Sequence, residues 1–163
     1  MYRPGVATGT PATALLARHG VTFALHPYRH DPRAAGYGEE AAAALGVEPS
    51  RIFKTLIATV DARPACGIVP VAARLDLKAF AAALGGKRAD LADAAEAART
   101  TGYVVGGISP LGQKGRRPIV LDDSATAFAT IYVSAGRRGL QVELAPEVLL
   151  RLAPATLAPI ATR

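Results

Sequence analysis

The sequence predicts a single α/β domain on a mixed, mostly antiparallel sheet that curls toward a barrel, with helices around it. Three observations predict it. Strand-like segments outnumber what a plain strand–helix alternation would give, several are joined by connections of hairpin length, and the helical stretches between them are short and individually capped. At 163 residues, half of them hydrophobic, the chain is long enough for one sizeable core and short for two domains. Residues 10–160 are expected to form that domain, with 1–9 as a flexible N-terminus.

Thr10-Pro11 reads as an N-cap followed by Pro at the first helical position, and the helix it opens stops at His19-Gly20. Val21 to Tyr28 should be a strand. Asp31 to Gly38 carries Pro and Gly and reads as a loop before a helix over Glu39 to Leu45, closed by Gly46. Ile52 to Asp61 is rich in β-branched residues, and the Ala62-Arg63-Pro64 break predicts a hairpin into Ala65 to Val71. Asp76 caps a helix over Leu77 to Leu84 that Gly85-Gly86 ends. Asp93 and Glu96 have capping-box spacing for a further short helix. A glycine-rich segment, Gly102 to Gly115, precedes strands at Ile119 to Asp122, Thr130 to Ser134 and Leu140 to Leu144. The last two are joined by a turn over Ala135 to Gly139. A helix from Pro146 to Leu152 is expected to complete the chain.

The N-terminus has no apolar core of signal-peptide length, and the uncharged stretches, Ser124 to Gly136 among them, are too short and polar to span a bilayer. A soluble, cytoplasmic protein is expected. Cys66 is the only cysteine, so no internal disulfide can form. The net charge of +6 comes mainly from fifteen Arg against four Lys, and Arg is the better fork for phosphate, so a polyanionic partner fits.

The residue that stands out is Lys54. Strand alternation puts it on one face with Ile52, Leu56, Ala58 and Val60, while Phe53, Thr55, Ile57 and Thr59 make the other face fairly apolar too. A strand covered on both sides cannot simply turn its cation to water, and a desolvated ammonium of this kind recurs in functional sites. The bland alternative is a strand-end lysine that snorkels to solvent.

The run Gly102-Tyr103-Val104-Val105-Gly106-Gly107-Ile108-Ser109-Pro110-Leu111-Gly112 allows a close approach of backbone to ligand, or is a bulged turn. Gly107 and Gly112 have P-loop spacing, yet Gln113-Lys114-Gly115 stands where Lys-Ser or Lys-Thr is needed, so nucleotide binding is rejected. His26 and His30 are four apart, but Pro27 and Pro32 oppose the helix that spacing would need, and no third metal ligand is evident. Cys66 reads as a small core residue. Ser109 and Ser134 have no adjacent His, and a catalytic triad is unsupported. Lys114, Arg116, Arg117, Arg137 and Arg138 form two basic clusters that would suit a phosphate backbone if they shared one rim.

Five segments together identify a family: His26-Pro27-Tyr28-Arg29-His30-Asp31-Pro32, Phe53-Lys54-Thr55-Leu56, Leu75-Asp76-Leu77-Lys78, Thr101 to Lys114, and Phe128 to Gly136. In this order they resemble the YbaK family, free-standing relatives of the editing domain of bacterial prolyl-tRNA synthetase. The Gly-Gly-Ile-Ser-Pro-Leu-Gly-Gln-Lys run, Gly106 to Lys114, is the most specific of them. The resemblance implies an α/β fold around a small pocket and hydrolysis of Cys mischarged onto the tRNA for proline, as in a Cys-tRNA(Pro)/Cys-tRNA(Cys) deacylase. It implies catalytic roles for Lys54 and Gly106, and substrate contacts at Tyr28, Gly107, Ile108, Ser109, Pro110, Ser134 and Gln141. The basic residues Lys114, Arg116, Arg117, Arg137 and Arg138 would meet tRNA. No metal or other cofactor is implied; the partners are aminoacyl-tRNA and, as a candidate, prolyl-tRNA synthetase.

Gln141 departs from the pattern, since many relatives carry Asp there, and a carboxylate that could hold the substrate's ammonium is missing. In the family the substrate's own thiol is thought to attack its ester and form a cyclic product. Three alternatives stay open: a deacylase for Ala or another small residue, a non-catalytic RNA- or synthetase-binding module, and a Schiff-base enzyme using Lys54.

Overall fold

A capping box starts the first helix. In the computed structural model, which describes residues 9–34 and 36–162, the Thr13 N–H donates to Thr10 Oγ1 and the Thr10 N–H to Thr13 Oγ1, each at 3.1 Å. Helix α1 (Pro11–His19) therefore begins with two of its orphan donors satisfied. Of the expected flexible N-terminus, residues 1–8 lie outside the described residues.

Strand β1 (Ala24–Pro27) is followed by α2 (Tyr37–Leu45), which starts two residues earlier than its composition suggests. The hairpin of β2 (Phe53–Val60) and β3 (Arg63–Pro70) turns at Asp61-Ala62 rather than one residue later. Both turn residues have positive φ, 49° and 69°, the geometry that suits the twist of a two-residue hairpin. Asp61 tolerates it by accepting from the Lys87 and Arg88 N–H groups. Next come β4 (Arg74–Leu75), α3 (Leu77–Ala83), β5 (Ala89–Leu91) and α4 (Ala94–Thr101). Asp76 and Asp93 cap the two helices through their side chains, as their spacing predicts.

After the glycine-rich segment, β6 (Ile119–Asp122) leads through a 3-10 turn (Asp123–Ala127) into β7 (Ile131–Arg137) and β8 (Leu140–Leu144), then α5 (Pro146–Leu152). The β7–β8 turn is tighter than expected, because β7 continues through a bulge between Ser134 and Arg137. The chain does not end at α5. Two short strands follow, β9 (Thr156–Ala158) and β10 (Ala161–Thr162). The buried Asp122 carboxylate holds this tail, its Oδ1 accepting from the Ile160 and Ala161 N–H groups at 2.9 and 3.0 Å.

Among the described residues, five strand pairings are antiparallel and two are parallel. The mixed, mostly antiparallel α/β arrangement agrees with the sequence reading, but no closed barrel forms. Strands fall into sheets ordered β5-β2-β3-β6-β9, β1-β8-β7 and β10-β4. The reason lies in β2, which pairs with β3 along its whole length on one edge. On the other edge Ala58 to Val60 pair with β5, whereas Ile52 bridges to Tyr132 of β7. Between those two contacts the five-stranded and three-stranded sheets part like a fork.

The main core fills the side of the three-stranded sheet that carries Ile131, Val133, Val142 and Leu144, together with Leu16, Phe53, Ile57, Ile68 and Leu121. Alternation sends Tyr132, Ser134, Gln141 and Glu143 to the opposite face. That face looks toward α2 and the fork.

Candidate active site

The fork opens into a cavity of about 370 Å³. Its floor is the stretch from Ile52 through Ile57 of β2, and Ser134 and Gln141 close one wall. These two residues are direct partners across the β7–β8 ladder, so their side chains leave the sheet on the same face. The opposite wall comes from β5 and α4 through Leu91, Ala92, Ala94 and Ala97. The mouth is framed by Tyr37, Gly38 and Glu39 at the start of α2 and by Val105, Gly106 and Ile108 of the glycine-rich segment.

Lys54 sits on the floor, half buried. Burial is the main influence on its ammonium and lowers its pKa from the ordinary lysine value; the Glu39 carboxylate opposes this, and the Arg74 cation adds to it. Desolvation disfavours the charged form of a lysine in this way. The residue is thus a cation kept partly from water, facing a cavity of mixed apolar and polar lining.

Gly106 is placed by close packing. Its φ is +90°, and a Cβ built on it would come within 2.6 Å of the Tyr37 ring, so any side chain would have to displace the ring. Gly107 is packed against backbone rather than a side chain: a Cβ there would meet the backbone of Arg137 at 2.7 Å and of Arg138 at 2.9 Å. The Gly107 N–H donates to the Val104 carbonyl at 2.9 Å and closes the turn. That amide is already engaged, and Gly107 serves to seat the loop on the β7–β8 hairpin.

Other residues singled out in the sequence separate in the same way. Lys54, Gly106, Ile108, Ser134 and Gln141 all line the cavity. Ser109 and Pro110 are buried behind it, and Ser109 Oγ accepts from the Leu111 N–H at 3.1 Å, a bond within the loop. Tyr28 stands behind Gln141. Its pKa is raised, first by burial and also by the Glu40 charge, while the Gly139 backbone and the Gln141 side chain, both within hydrogen-bonding reach, pull it down.

The basic residues differ in what holds them. Arg138 donates from Nε to the Val105 carbonyl at 2.9 Å and lies over the Tyr37 ring, at the cavity mouth. Arg117 is a clamp inside the glycine-rich segment: its guanidinium donates to the carbonyls of Thr100 and Lys114 at 2.8 and 2.6 Å and to Gln113 Oε1. Lys114 and Arg116 beside it are exposed, as is Arg137 on the hairpin.

His26 and His30 diverge. The first bonds Glu143 at 2.9 Å, in a network where Arg51 and Thr130 also reach that carboxylate at 3.0 and 2.6 Å. The second bonds Glu40 at 2.7 Å, and Glu40 also accepts from the Asp31 N–H. This second contact ties the loop before α2 to the helix and so fixes Tyr37 and Glu39 at the mouth. No cluster of three or more potential metal ligands occurs among the described residues. Cys66 is fully buried, with its thiol pushed up to about 12 by burial, as befits a core residue.

Sequence reasoning missed Tyr37 and Gly38, which fall where a loop is expected, Glu39, which reads only as the first residue of a helix, and Thr55, which reads as an ordinary strand residue. The only available signal for Thr55 is its place next to Lys54 on a strand covered on both faces.

Comparison with known proteins gives three findings. Residues 31–152 match the model of the family described as the aminoacyl-tRNA editing domain. A candidate Cys-tRNA(Pro)/Cys-tRNA(Cys) deacylase of Enterococcus faecalis, EbsC, is 41% identical over 126 residues, 77% of either chain. Among solved structures, a hypothetical protein, APE2540, superposes with a TM-score of 0.83 at 29% identity, over 93% of this chain and 99% of its own. A candidate trans-editing enzyme for prolyl tRNA synthetase also superposes at 0.83, with 23% identity over 97% of this chain and 99% of its own, and supports the fold.

Proposed function

The chain belongs to the aminoacyl-tRNA editing domain family, and from that premise we propose that it is a trans-editing deacylase that removes cysteine mischarged onto the tRNA for proline. The observation that carries the reading is the position of Lys54 and Gly106 on one small cavity. The relative at 41% identity bears the corresponding name, and the cavity is of a size for the aminoacyl end of a tRNA rather than for a folded partner.

An aminoacyl ester is already activated, so the enzyme has mainly to position it and to stabilise developing negative charge. Lys54 is a fixed cation on the cavity floor, suited to the terminal ribose or its phosphate. The loop at Gly106 and Ile108 lets backbone approach the ester carbonyl without a side chain intervening at 106. With Gly107's amide engaged in the turn, the oxyanion falls to the remaining donors at the mouth. The substrate thiol attacks its own ester carbonyl, the bond from that carbon to the ribose oxygen breaks, and the thiol proton passes to that departing oxygen, which leaves as the ribose hydroxyl. Cysteine leaves as a cyclic thioester that water then opens. No protein nucleophile enters this step, and Ser134 Oγ accepts from the Gly136 N–H.

A cavity of this size separates amino acids that differ by one small group only modestly, by about 10–200-fold per methylene. Selection for cysteine then rests on its thiol. The substrate is met in the cytoplasm, where tRNA is charged, and prolyl-tRNA synthetase is the candidate partner that would supply tRNA selectivity.

A second reading, removal of Ala or another small residue, is favoured by Gln141, which puts an amide where many relatives have Asp. The test is to incubate the protein with the tRNA for proline charged in turn with Cys, Ala, Ser and Pro. Release of Cys well above the others supports the main reading. Faster release of Ala supports the second, and release of none contradicts both.

A further inference from the structure

We propose that Arg74, outside the cavity, joins Lys54 in gripping the phosphate that links the last two nucleotides of the tRNA, an inference that rests on the deacylase reading above. Alternation along β2 sends Lys54 to the same face as Leu56. Across the ladder these two stand opposite Val69 and Gly67 of β3. Beyond Pro70 the chain reverses, the Ala73 N–H donating to the Pro70 carbonyl at 3.0 Å, and β4 returns over that face, where Leu56, Val69 and Leu75 share one apolar cluster. A Cβ on Gly67 would meet the Leu75 side chain at 3.0 Å, so Leu75 covers the Gly67–Leu56 step of the ladder. Arg74, one residue earlier on the returning strand, falls at the Lys54 end. Its cation adds to burial in lowering the Lys54 pKa.

Arg74 has an anchored backbone and an unpaired charge. It stands opposite Thr162 in the β4–β10 pair, and the Thr162 hydroxyl donates to the Arg74 carbonyl at 3.4 Å. The Asp76 N–H donates to the Ile160 carbonyl at 2.7 Å, and the buried Asp122 carboxylate holds the same tail. The residue itself is exposed. Among the described residues neither Arg74 nor Lys54 forms an ion pair. The carboxylate that acts on Lys54, Glu39, is folded back on the start of α2, where a Cβ on Gly36 would come within 1.7 Å of its Oε2. Two like charges held side by side repel, and an anion between them turns that repulsion into attraction.

The chemistry of the substrate names the anion. The ester sits on the terminal ribose, and the phosphate on the 5′ oxygen of that ribose is the negative charge nearest to it. A guanidinium fork matches two phosphate oxygens, while an ammonium adds a point charge. With the aminoacyl group in the cavity beside Gly106, a phosphate held by Lys54 and Arg74 lays the terminal nucleotide along the β4 side of the floor. The charge nearest the ester is then met by β4, and Lys114 and Arg116 are left to more distant parts of the tRNA.

The test neutralises the phosphate. Cys-tRNA(Pro) is compared with the same tRNA carrying an uncharged methylphosphonate between its last two nucleotides, and kcat/KM for cysteine release is measured on both. Wild type should be about tenfold or more slower on the methylphosphonate, the scale of hydrogen bonds to a charged group. Arg74→Gln should lose about tenfold on the natural tRNA and far less on the methylphosphonate, because the partner of the missing cation is already gone. An unchanged melting temperature shows that this variant is folded. An equal loss on both substrates, or no loss on the natural one, would overturn the grip. So would an Arg116→Gln variant that cancels the methylphosphonate effect, since the phosphate would then lie on the glycine-rich side. Failure of wild type to release cysteine from the natural tRNA would contradict the deacylase reading beneath it.

Discussion

The Arg138 guanidinium lies 4.7 Å from the centre of the Tyr37 ring. The same side chain donates to the Val105 carbonyl, so one residue of the β7–β8 turn holds the start of α2 and the glycine-rich segment together at the cavity mouth. A planar, forked cation can stack and donate at once, which lysine cannot. Arg138→Lys should therefore behave much like Arg138→Ala. Both should lower kcat/KM by about tenfold for a contact of this type, worth roughly 0.5–2 kcal/mol in stacking plus a charge-assisted hydrogen bond. Steady-state deacylation assays of the two variants check this; full activity of Arg138→Lys would show that only the charge matters.

Lys54 affects stability and activity in opposite directions. Its pKa is lowered in the folded state by burial. Between the folded and the unfolded pKa the unfolded chain binds more protons, so stability rises with pH through that window. Below it the buried ammonium is a standing cost. Lys54→Met should raise the melting temperature at pH 7, and the gain should shrink as pH approaches the ordinary lysine value of 10.5. Melts across that range decide the sign.

Glu143 has the reverse linkage. Its pKa is lowered, first by the Thr130 hydroxyl and then by His26 and Arg51, against the opposing effect of burial. The stability it contributes is present above the ordinary carboxylate value and is lost as pH falls through the folded one. Glu143→Gln should cost about 1–3 kcal/mol at pH 7, the usual range for losing hydrogen bonds to a charged group. The difference from wild type should vanish in acid. Urea titrations at several pH values measure it.

The basic residues should separate in the same experiment. Arg117 is bonded to two carbonyls and the Gln113 amide, so Arg117→Ala should destabilise the fold by about 1–3 kcal/mol. Lys114→Ala and Arg116→Ala should leave the melting temperature unchanged. If they meet tRNA phosphates, each should reduce the slope of log affinity against log salt by about 1.

Much of this architecture is legible in the sequence because local chemistry dictates it. Thr10, Asp76 and Asp93 announce their helices through the donors they cap, and alternation along β2 exposes Lys54 as an anomaly. The fork is not legible, since it depends on β2 sharing one edge between β5 and β7, and strands of two or three residues such as β4, β9 and β10 carry too few side chains to show a period. Tyr37 and Glu39 escape notice because α2 begins after Gly36, which offers no side-chain cap. Arg117 and Arg138 look like solvated turn charges until the carbonyls that hold them come into view. Thr55 gives no sign, because a threonine in a strand is ordinary.

Cysteine release itself is the most direct measurement. Cys-tRNA(Pro) at a concentration below that of the enzyme, with wild type and Lys54→Ala run side by side, reads the chemical step without product release. The account predicts rapid loss of cysteine with wild type and a rate at least about a hundredfold lower with Lys54→Ala, the scale of removing one electrostatic group from a preorganised site. Equal rates for the two proteins would contradict it.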